Sequence, residues 1–453
     1  MYNISGTFAE SILIEFEQSA DEGRMVQPFT EEAKLIFETN KLGYDQEDEA
    51  KNLAKKLKSA PVRPDFPYIE PAELEDIKKE RPTKDRDAIK KTEINPDAYY
   101  NKVYGAWLGR CSGCLLGKPV EFWLRDKIVG MLKDTDNYPI DRYLTSNVDS
   151  KIKKKYFIVD ELPNNLDNPV KWINNVSCGP EDDDTNYTIL YLKTIETYGK
   201  NFTSEDVSFS WLMNLTYLHT YTAERAAYRN FINNIPPPLS GSYDNPCREW
   251  IGAQIRADCF GYIALGDTEK AAEYAWRDGR ISHIKNGIYG EMFVAAMIAR
   301  AAVSSDIQDI IRHGLGEIPK NSRLTEAIEK VFDWYYQGIG WEEAIDNIYN
   351  IYDEKNIHHK FHTLSNAMIC IVSLLWGQGD FEKTIGISVC AALDTDCNAA
   401  TTGSIIGMIL GADHMPPKWI SPLNGKIISG VNGFNISEIS DLARRTVTQA
   451  FES

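Results

Sequence analysis

Cysteine is scarce in this chain, eight residues among 453, too few and too scattered for the disulfide framework of a small secreted domain. Positive charge is short as well: 49 Lys and Arg stand against 66 Asp and Glu, a formal net charge of −17. That excess repels phosphate backbones and anionic lipid, so neither nucleic acid nor a membrane surface is expected as a partner. The one basic run, Lys151-Ile152-Lys153-Lys154-Lys155, is brief and reads as a solvated surface turn. Long apolar runs are missing. The longest stretch of that kind, Val103–Gly117, is interrupted by Arg110 and is too short to span a bilayer. Met1–Arg24 lacks the basic start and apolar core of a secretory signal. A reducing, cytoplasmic location is expected.

What remains is ordinary for a soluble globular protein, with 43% hydrophobic and 25% charged residues. Strand-like alternation is scarce, and apolar residues recur at three and four, which predicts an all-α fold. Residues 1–95 read as an N-terminal extension that packs on the main body. Helices are expected there over Glu31–Leu42 and Gln46–Leu57. They are followed by a connector punctuated by Pro61, Pro64, Pro67 and Pro71, and then by a mixed-charge run, Glu75–Lys91. Residues 96–453 read as the functional domain, with helices over Asp182–Tyr198, Thr268–Trp276, Glu291–Ala302 and Leu364–Trp376. Cys111 and Cys114 form a CxxC pair, but neither Cys247 nor Cys259 supplies a matching second pair for zinc. Two small core residues are the plain reading.

Glycine recurs every fourth residue in two places, at Gly105, Gly109, Gly113 and Gly117, and again at Gly403, Gly407 and Gly411. Residues four apart share a helix face, so each ladder bares a stripe of backbone. Each glycine costs about 0.8–1 kcal/mol against alanine inside a helix. Close approach of another helix is the compensation expected. Glu121 follows the first ladder, and Asp394 and Asp396 precede the second.

The acids cluster twice. Glu181-Asp182-Asp183-Asp184 opens a helix, where the dipole favours carboxylates by about 0.3–1 kcal/mol each; that explains one or two surface acids. Four adjacent ones repel each other, which a cation would relieve. Asp394-Thr395-Asp396-Cys397 separates two segments that both look buried. Buried carboxylates need a metal, an Arg or Lys partner, or several N–H donors. Hard cations such as Mg²⁺ and Mn²⁺ favour carboxylate and hydroxyl oxygen, which both clusters offer.

Four motifs together resemble the ADP-ribosylglycohydrolase family, from about Tyr104 to Trp419 and on toward the C-terminus. They are Gly105-Ala106-Trp107-Leu108-Gly109 through Gly113-Cys114-Leu115-Leu116-Gly117-Lys118-Pro119-Val120-Glu121; Asp182-Asp183-Asp184-Thr185; Gly252-Ala253-Gln254-Ile255-Arg256-Ala257 with Ser282-His283; and Asp394-Thr395-Asp396-Cys397 followed by Gly403, Gly407 and Pro416-Pro417-Lys418-Trp419. The resemblance implies a compact orthogonal multi-helix domain and a divalent-metal site, two Mg²⁺ ions with Mn²⁺ as the alternative. The metal ligands it implies are Asp182, Asp183, Asp184, Asp394 and Asp396. Glu121 and Asp183 are the implied catalytic residues, and His283, Asn286, Tyr289 and His362, with Asn366 behind them, the implied substrate contacts.

Three positions depart from the family pattern. Asp182 stands for a Thr ligand, Cys397 for a hydroxyl, and Cys114 for the Asp of a Gly-Asp-x-x-Gly segment. A thiol is a poor Mg²⁺ ligand, so metal occupancy is expected to differ. The expected activity is metal-dependent hydrolysis of an N- or O-glycosidic bond at the anomeric carbon of an ADP-ribosyl or related ribosyl conjugate. The alternatives are a nucleoside or small ribosyl-conjugate N-glycohydrolase with the same site, the extension restricting the pocket; a non-enzymatic binding or structural family member; and a metal-free two-carboxylate glycosidase.

Overall fold

The two glycine ladders meet. They lie on helices Pro96–Gly117 and Thr395–Leu410, which cross antiparallel with backbone against backbone. Gly105 faces Gly407, Gly109 faces Gly403, Gly113 faces Ala399, and Gly117 faces Thr395 and Asp396. A methyl group at Gly109 or Gly113 would sit 2.1 or 2.0 Å from a carbonyl oxygen of the facing helix. No side chain fits there, which is the compensation for the poor helix propensity of glycine. Thr395 Oγ1 closes the far end by donating to Gly117 O at 2.9 Å. The pair runs through the centre of the molecule, and fifteen of the residues of Pro96–Gly117 are buried, Arg110 among them.

The computed structural model describes residues 8–83, 94–161 and 170–452. Among these are 23 α-helices and one two-stranded antiparallel sheet pairing Lys426–Ile428 with Ile436–Glu438. The fold is all-α. None of the described helices is long and apolar enough to cross a membrane. The helices expected at Glu31–Leu42 and Gln46–Leu57 run over Thr30–Lys41 and Glu47–Ser59. The one expected at Glu291–Ala302 begins earlier, at Lys285. The mixed-charge run holds helix Leu74–Glu80, and its part from residue 84 to 91 lies outside the described residues. All eight cysteines are free thiols; Cys111 and Cys114 are buried, and burial pushes the Cys111 thiol up to about 12.

Residues 8–57 carry an apolar cluster of their own, including Phe8, Ile12, Ile36, Leu53 and Leu57. Ion pairs join them to the rest of the chain. Arg248 takes Glu15 with both terminal nitrogens, at 2.7 and 2.9 Å, and Glu22 through Nε at 2.8 Å. Lys285 Nζ reaches Glu22 at 2.9 Å. Farther along, Arg323 pairs with Glu70 at 2.7 Å and with Glu249 at 2.8 Å. These carboxylates and guanidinium groups are buried, where breaking one partner of a pair costs about 3–5 kcal/mol.

Candidate functional site

The ladder register decides which acids meet. Because Gly117 lies against the backbone of Thr395 and Asp396, the turn that follows it, Lys118–Val120, is delivered to the start of helix Thr395–Leu410. Glu121 comes next. On the facing side the chain reaches Asp394 through Ala392 and Leu393, both left-handed at φ 65° and 58°. Two such residues without glycine cost about 1–2 kcal/mol each, a strain found where a site fixes the backbone. Phe122, directly after Glu121, is left-handed too, at φ 68°. Strained backbone thus flanks the meeting point on both sides.

The first acidic cluster arrives from helix Asp183–Tyr198. Asp182 was expected inside this helix and is instead its N-cap: its extended backbone lets Oδ1 accept from Asp184 N at 3.0 Å. Asp184 is clamped by Arg110, whose Nη2 reaches Oδ1 at 3.2 Å while its Nε donates to the Asp184 carbonyl at 2.9 Å. The same guanidinium pairs with Asp258 at 2.7 Å. An arginine in a buried helix face needs such partners. Asn366 braces the second cluster, its Oδ1 accepting from Asp394 N at 3.2 Å and from Asn398 Nδ2 at 2.9 Å.

Between the clusters stands Lys118. Its Nζ lies 2.6 Å from Asp182 Oδ2, 2.8 Å from Glu121 Oε2 and 3.0 Å from Asp396 Oδ2. Asp182, Asp184, Asp394 and Asp396 are all buried. Four of their oxygens have no hydrogen-bond partner among the described residues: Asp182 Oδ2, which has only the ion-pair contact with Lys118, and Asp184 Oδ2, Asp394 Oδ1 and Asp396 Oδ1. Ligand atoms of Glu121, Asp394 and Asp396 fall within 4.8 Å of one another, as do those of Asp184, Asp396 and Cys397.

The electrostatics follow. Burial, with Asp396 beside it, pushes the Glu121 carboxyl up to about 8 against the pull of Lys118. Burial and neighbouring acids hold Asp183, Asp184 and Asp394 well above the usual carboxylate range. Asp182 goes the other way: burial raises it, but Lys118 and the Asp184 N–H more than offset that. Such crowding of acids is relieved by a cation, and the unpartnered oxygens are of the kind that binds one.

Of the ten positions expected at the site, the structure gathers Glu121, Asp182, Asp184, Asp394 and Asp396. Asp183 is half-buried on the same helix start and lies near enough for Asp182, Lys118 and Glu121 to act on it. His283, Asn286, Tyr289 and His362 make their polar contacts elsewhere. Asn286 Nδ2 donates to Glu70 at 2.7 Å and Glu249 at 3.2 Å, and Tyr289 gives its hydroxyl proton to Pro71 O. His283 Nδ1 meets Ser282 Oγ at 2.8 Å. His362 Nε2 faces Asp21 and Glu249 at 3.9 and 4.0 Å. Asn286, Tyr289 and His362 thus face Glu70, Pro71 and Asp21 of the N-terminal segment. Sequence reasoning missed Arg110 and Lys118. Each carried a signal: one charge inside an apolar helix, and one between Gly117 and Pro119.

Asp21, His358 and His362 form another close group, but not one suited to metal. Trp250 Nε1 donates to His358 Nδ1 at 3.0 Å, and Leu364 N donates to His362 Nδ1 at 3.1 Å. With Nδ1 an acceptor in both rings, the neutral tautomer carries its proton on Nε2. Both rings therefore turn N–H donors, not lone pairs, toward Asp21.

A sequence profile of the family described as ADP-ribosylglycohydrolase matches residues 95–452. The chain belongs to the ADP-ribosylglycohydrolase family. It is a glycosyl hydrolase by that membership, and the matched span begins at the ladder helix. No curated protein matches the sequence. Forty-two chains of solved structures match it. One is described as an ADP-ribosylglycohydrolase-related protein complex, with a TM-score of 0.48 at 16% identity, covering 78% of this chain and 100% of its own.

Proposed function

We propose that this ADP-ribosylglycohydrolase is a metal-dependent enzyme that cleaves an N- or O-glycosidic bond at the anomeric carbon of an ADP-ribosyl or related ribosyl conjugate. The observation that carries the reading is the approach of Glu121 and Asp394 to Asp396 and of Asp184 to the same Asp396, with three buried oxygens of these carboxylates lacking hydrogen-bond partners among the described residues. Asp184, Asp394 and Asp396 would hold a divalent cation, Mg²⁺ or Mn²⁺. When bound, the ion would supply charge stabilisation and a lower pKa for water.

The chain's own residues do the rest. Cleavage passes through an oxocarbenium-like state, whose positive charge the surrounding carboxylates favour. Glu121, its side chain 19% exposed, is the group that can reach a bound substrate with a proton. It gives that proton to the leaving nitrogen or oxygen as the bond to the anomeric carbon breaks. Water adds at that carbon, and Asp183 takes up the proton it releases.

A second reading, a small ribosyl conjugate as substrate, is favoured by one fact. Asn286 and Tyr289 are already engaged by residues 70–71, which leaves less surface for a bulky aglycone. Product release from ADP-ribosyl-arginine, ADP-ribosyl-serine and free nucleosides, followed by chromatography with Mg²⁺ or with chelator, separates the two. Asp396→Ala is expected to lose turnover at least 100-fold with an unchanged circular dichroism spectrum. Full activity of a folded, chelated Asp396→Ala protein sinks the proposal, and activity of the unaltered enzyme in chelator points to a metal-free two-carboxylate glycosidase.

A further inference from the structure

We propose that Lys118 is a tethered cation that takes one of two cation positions in the acidic site, leaving room for a single divalent ion at Asp184, Asp394 and Asp396. The inference rests on the metal reading above and asks how many ions the site accepts.

An ammonium has three N–H donors. Lys118 Nζ has three carboxylate oxygens around it at 2.6–3.0 Å, from Asp182, Glu121 and Asp396. These come from three separate segments and include both acidic clusters, as the ligands of a bridging ion would. The arrangement is anchored at its base. Lys118 follows directly on Gly117, whose backbone is pressed against Thr395 and Asp396, and Pro119 restricts the next residue. Lys118 therefore starts at the mouth of the cluster with its whole side chain directed by the ladder.

Distances decide the competition. A Mg²⁺ ion sits about 2.0–2.1 Å from its oxygens, so an ion drawing on the same three carboxylates would overlap Nζ. Asp182 is committed on both sides, since Oδ1 caps the helix at Asp184 N and Oδ2, which has no hydrogen bond among the described residues, lies 2.6 Å from the ammonium as its ion-pair partner. Asp396 is divided differently: Oδ2 meets Lys118, while Oδ1 has no partner. Asp184 Oδ2 and Asp394 Oδ1 likewise have no hydrogen-bond partner among the described residues, and each of these two residues has a ligand atom within 4.8 Å of one on Asp396. Asp396 thus bridges an ammonium and one ion, where a two-metal site would have it bridge two ions about 3.5–4 Å apart.

The test counts ions. The full chain, stripped with chelator, is titrated with Mn²⁺ and followed by calorimetry and electron paramagnetic resonance. One Mn²⁺ per chain with the six-line spectrum of an isolated ion is expected. Lys118→Met is expected to bind two, with lines broadened by coupling between neighbouring ions, and Lys118→Arg to bind one. Two coupled ions in the unaltered protein overturn the inference and leave the metal reading standing, as does a count of one in both the unaltered protein and Lys118→Met. An ion in Lys118→Met alone overturns it too, because the lysine would then replace metal entirely. No binding by any of the three proteins fails the metal reading itself. If Lys118→Met does not fold by circular dichroism, Lys118→Gln is counted in its place.

Discussion

Replacing Gly113 with alanine sets two known effects against each other, and the ladder contact predicts which wins. In an unobstructed helix the change is favourable by about 0.8–1 kcal/mol. Here the new methyl carbon would lie 2.0 Å from Ala399 O and 2.4 Å from its carbonyl carbon. Both neighbours are backbone, so no side-chain rotation relieves the clash, and two central helices must separate by more than an ångström. Overpacking of this kind costs about 1–3 kcal/mol and more in rigid surroundings. Taking the upper figure against the propensity gain leaves a net loss of about 2 kcal/mol. For 453 residues, unfolding entropy near 2.1 cal/mol/K per residue makes 1 kcal/mol worth about 1 °C, so Tm falls by about 2 °C. Gly109→Ala, whose methyl would meet Gly403 O at 2.1 Å, should do the same. Differential scanning calorimetry of both variants beside Gly340→Ala measures this. Gly340 is exposed and has only Glu342 within 4 Å of an added methyl, so its Tm should change by less than about 0.5 °C. A rise in Tm for Gly113→Ala would refute the reasoning, because it would mean that propensity outweighs contact and that the helices are not pressed together.

Arg110→Met leaves Asp184 and Asp258 buried without their common guanidinium and should cost about 3–5 kcal/mol. A loss under 1 kcal/mol in urea unfolding would show that those carboxylates do not depend on it. Acid should loosen the N-terminal segment. Burial raises the Glu22 carboxyl, but Arg248 and Lys285 more than offset it and hold it below its ordinary value. Its contribution is therefore complete above the unfolded-chain pKa of about 4.3 and is lost as pH falls toward the folded one. Amide protection across Ile12–Ser59, taken against the intrinsic exchange rate at each pH, should fall below about pH 4 and respond less steeply to pH in Glu22→Gln. Constant protection from about pH 6 to about pH 3.5 in the unaltered chain would contradict this.

The helices were legible because three-and-four periodicity and capping residues are local properties. The ladders were legible because repeated glycine in a helix needs a compensating contact. Their register was not, since nothing near Gly109 in sequence says that it meets Gly403 rather than Gly407. The left-handed pair Ala392 and Leu393 was hidden for another reason: neither is a residue that favours that conformation, and only the packed surroundings impose it. The Asp clusters could be named from crowded acids between buried segments and Glu121 from the family resemblance, but not the lysine among them, since charge beside a proline reads as surface. The contacts of Asn286 and Tyr289 with Glu70 and Pro71 were not legible, because those partners lie more than two hundred residues away in a segment outside the family match.

The departures from the family pattern look unrelated along the sequence and are related in space. The pattern has an acid at position 114 and a hydroxyl at 182; this chain has Cys114 and Asp182. Ligand atoms of Cys114, Asp182 and Asp184 lie within 4.8 Å of one another, so the carboxylate missing from the ladder helix is supplied from the facing loop. The exchange keeps the number of acids and moves one of them toward Lys118. Asp182 caps its own helix and pairs with the ammonium. Burial keeps the Cys114 and Cys397 thiols protonated, and a neutral thiol is a weak partner for a hard ion. The carboxylate of Asp182 is thereby placed beside the ammonium of Lys118, and Asp184, Asp394 and Asp396 keep the oxygens that lack hydrogen-bond partners among the described residues and on which a hard ion would draw.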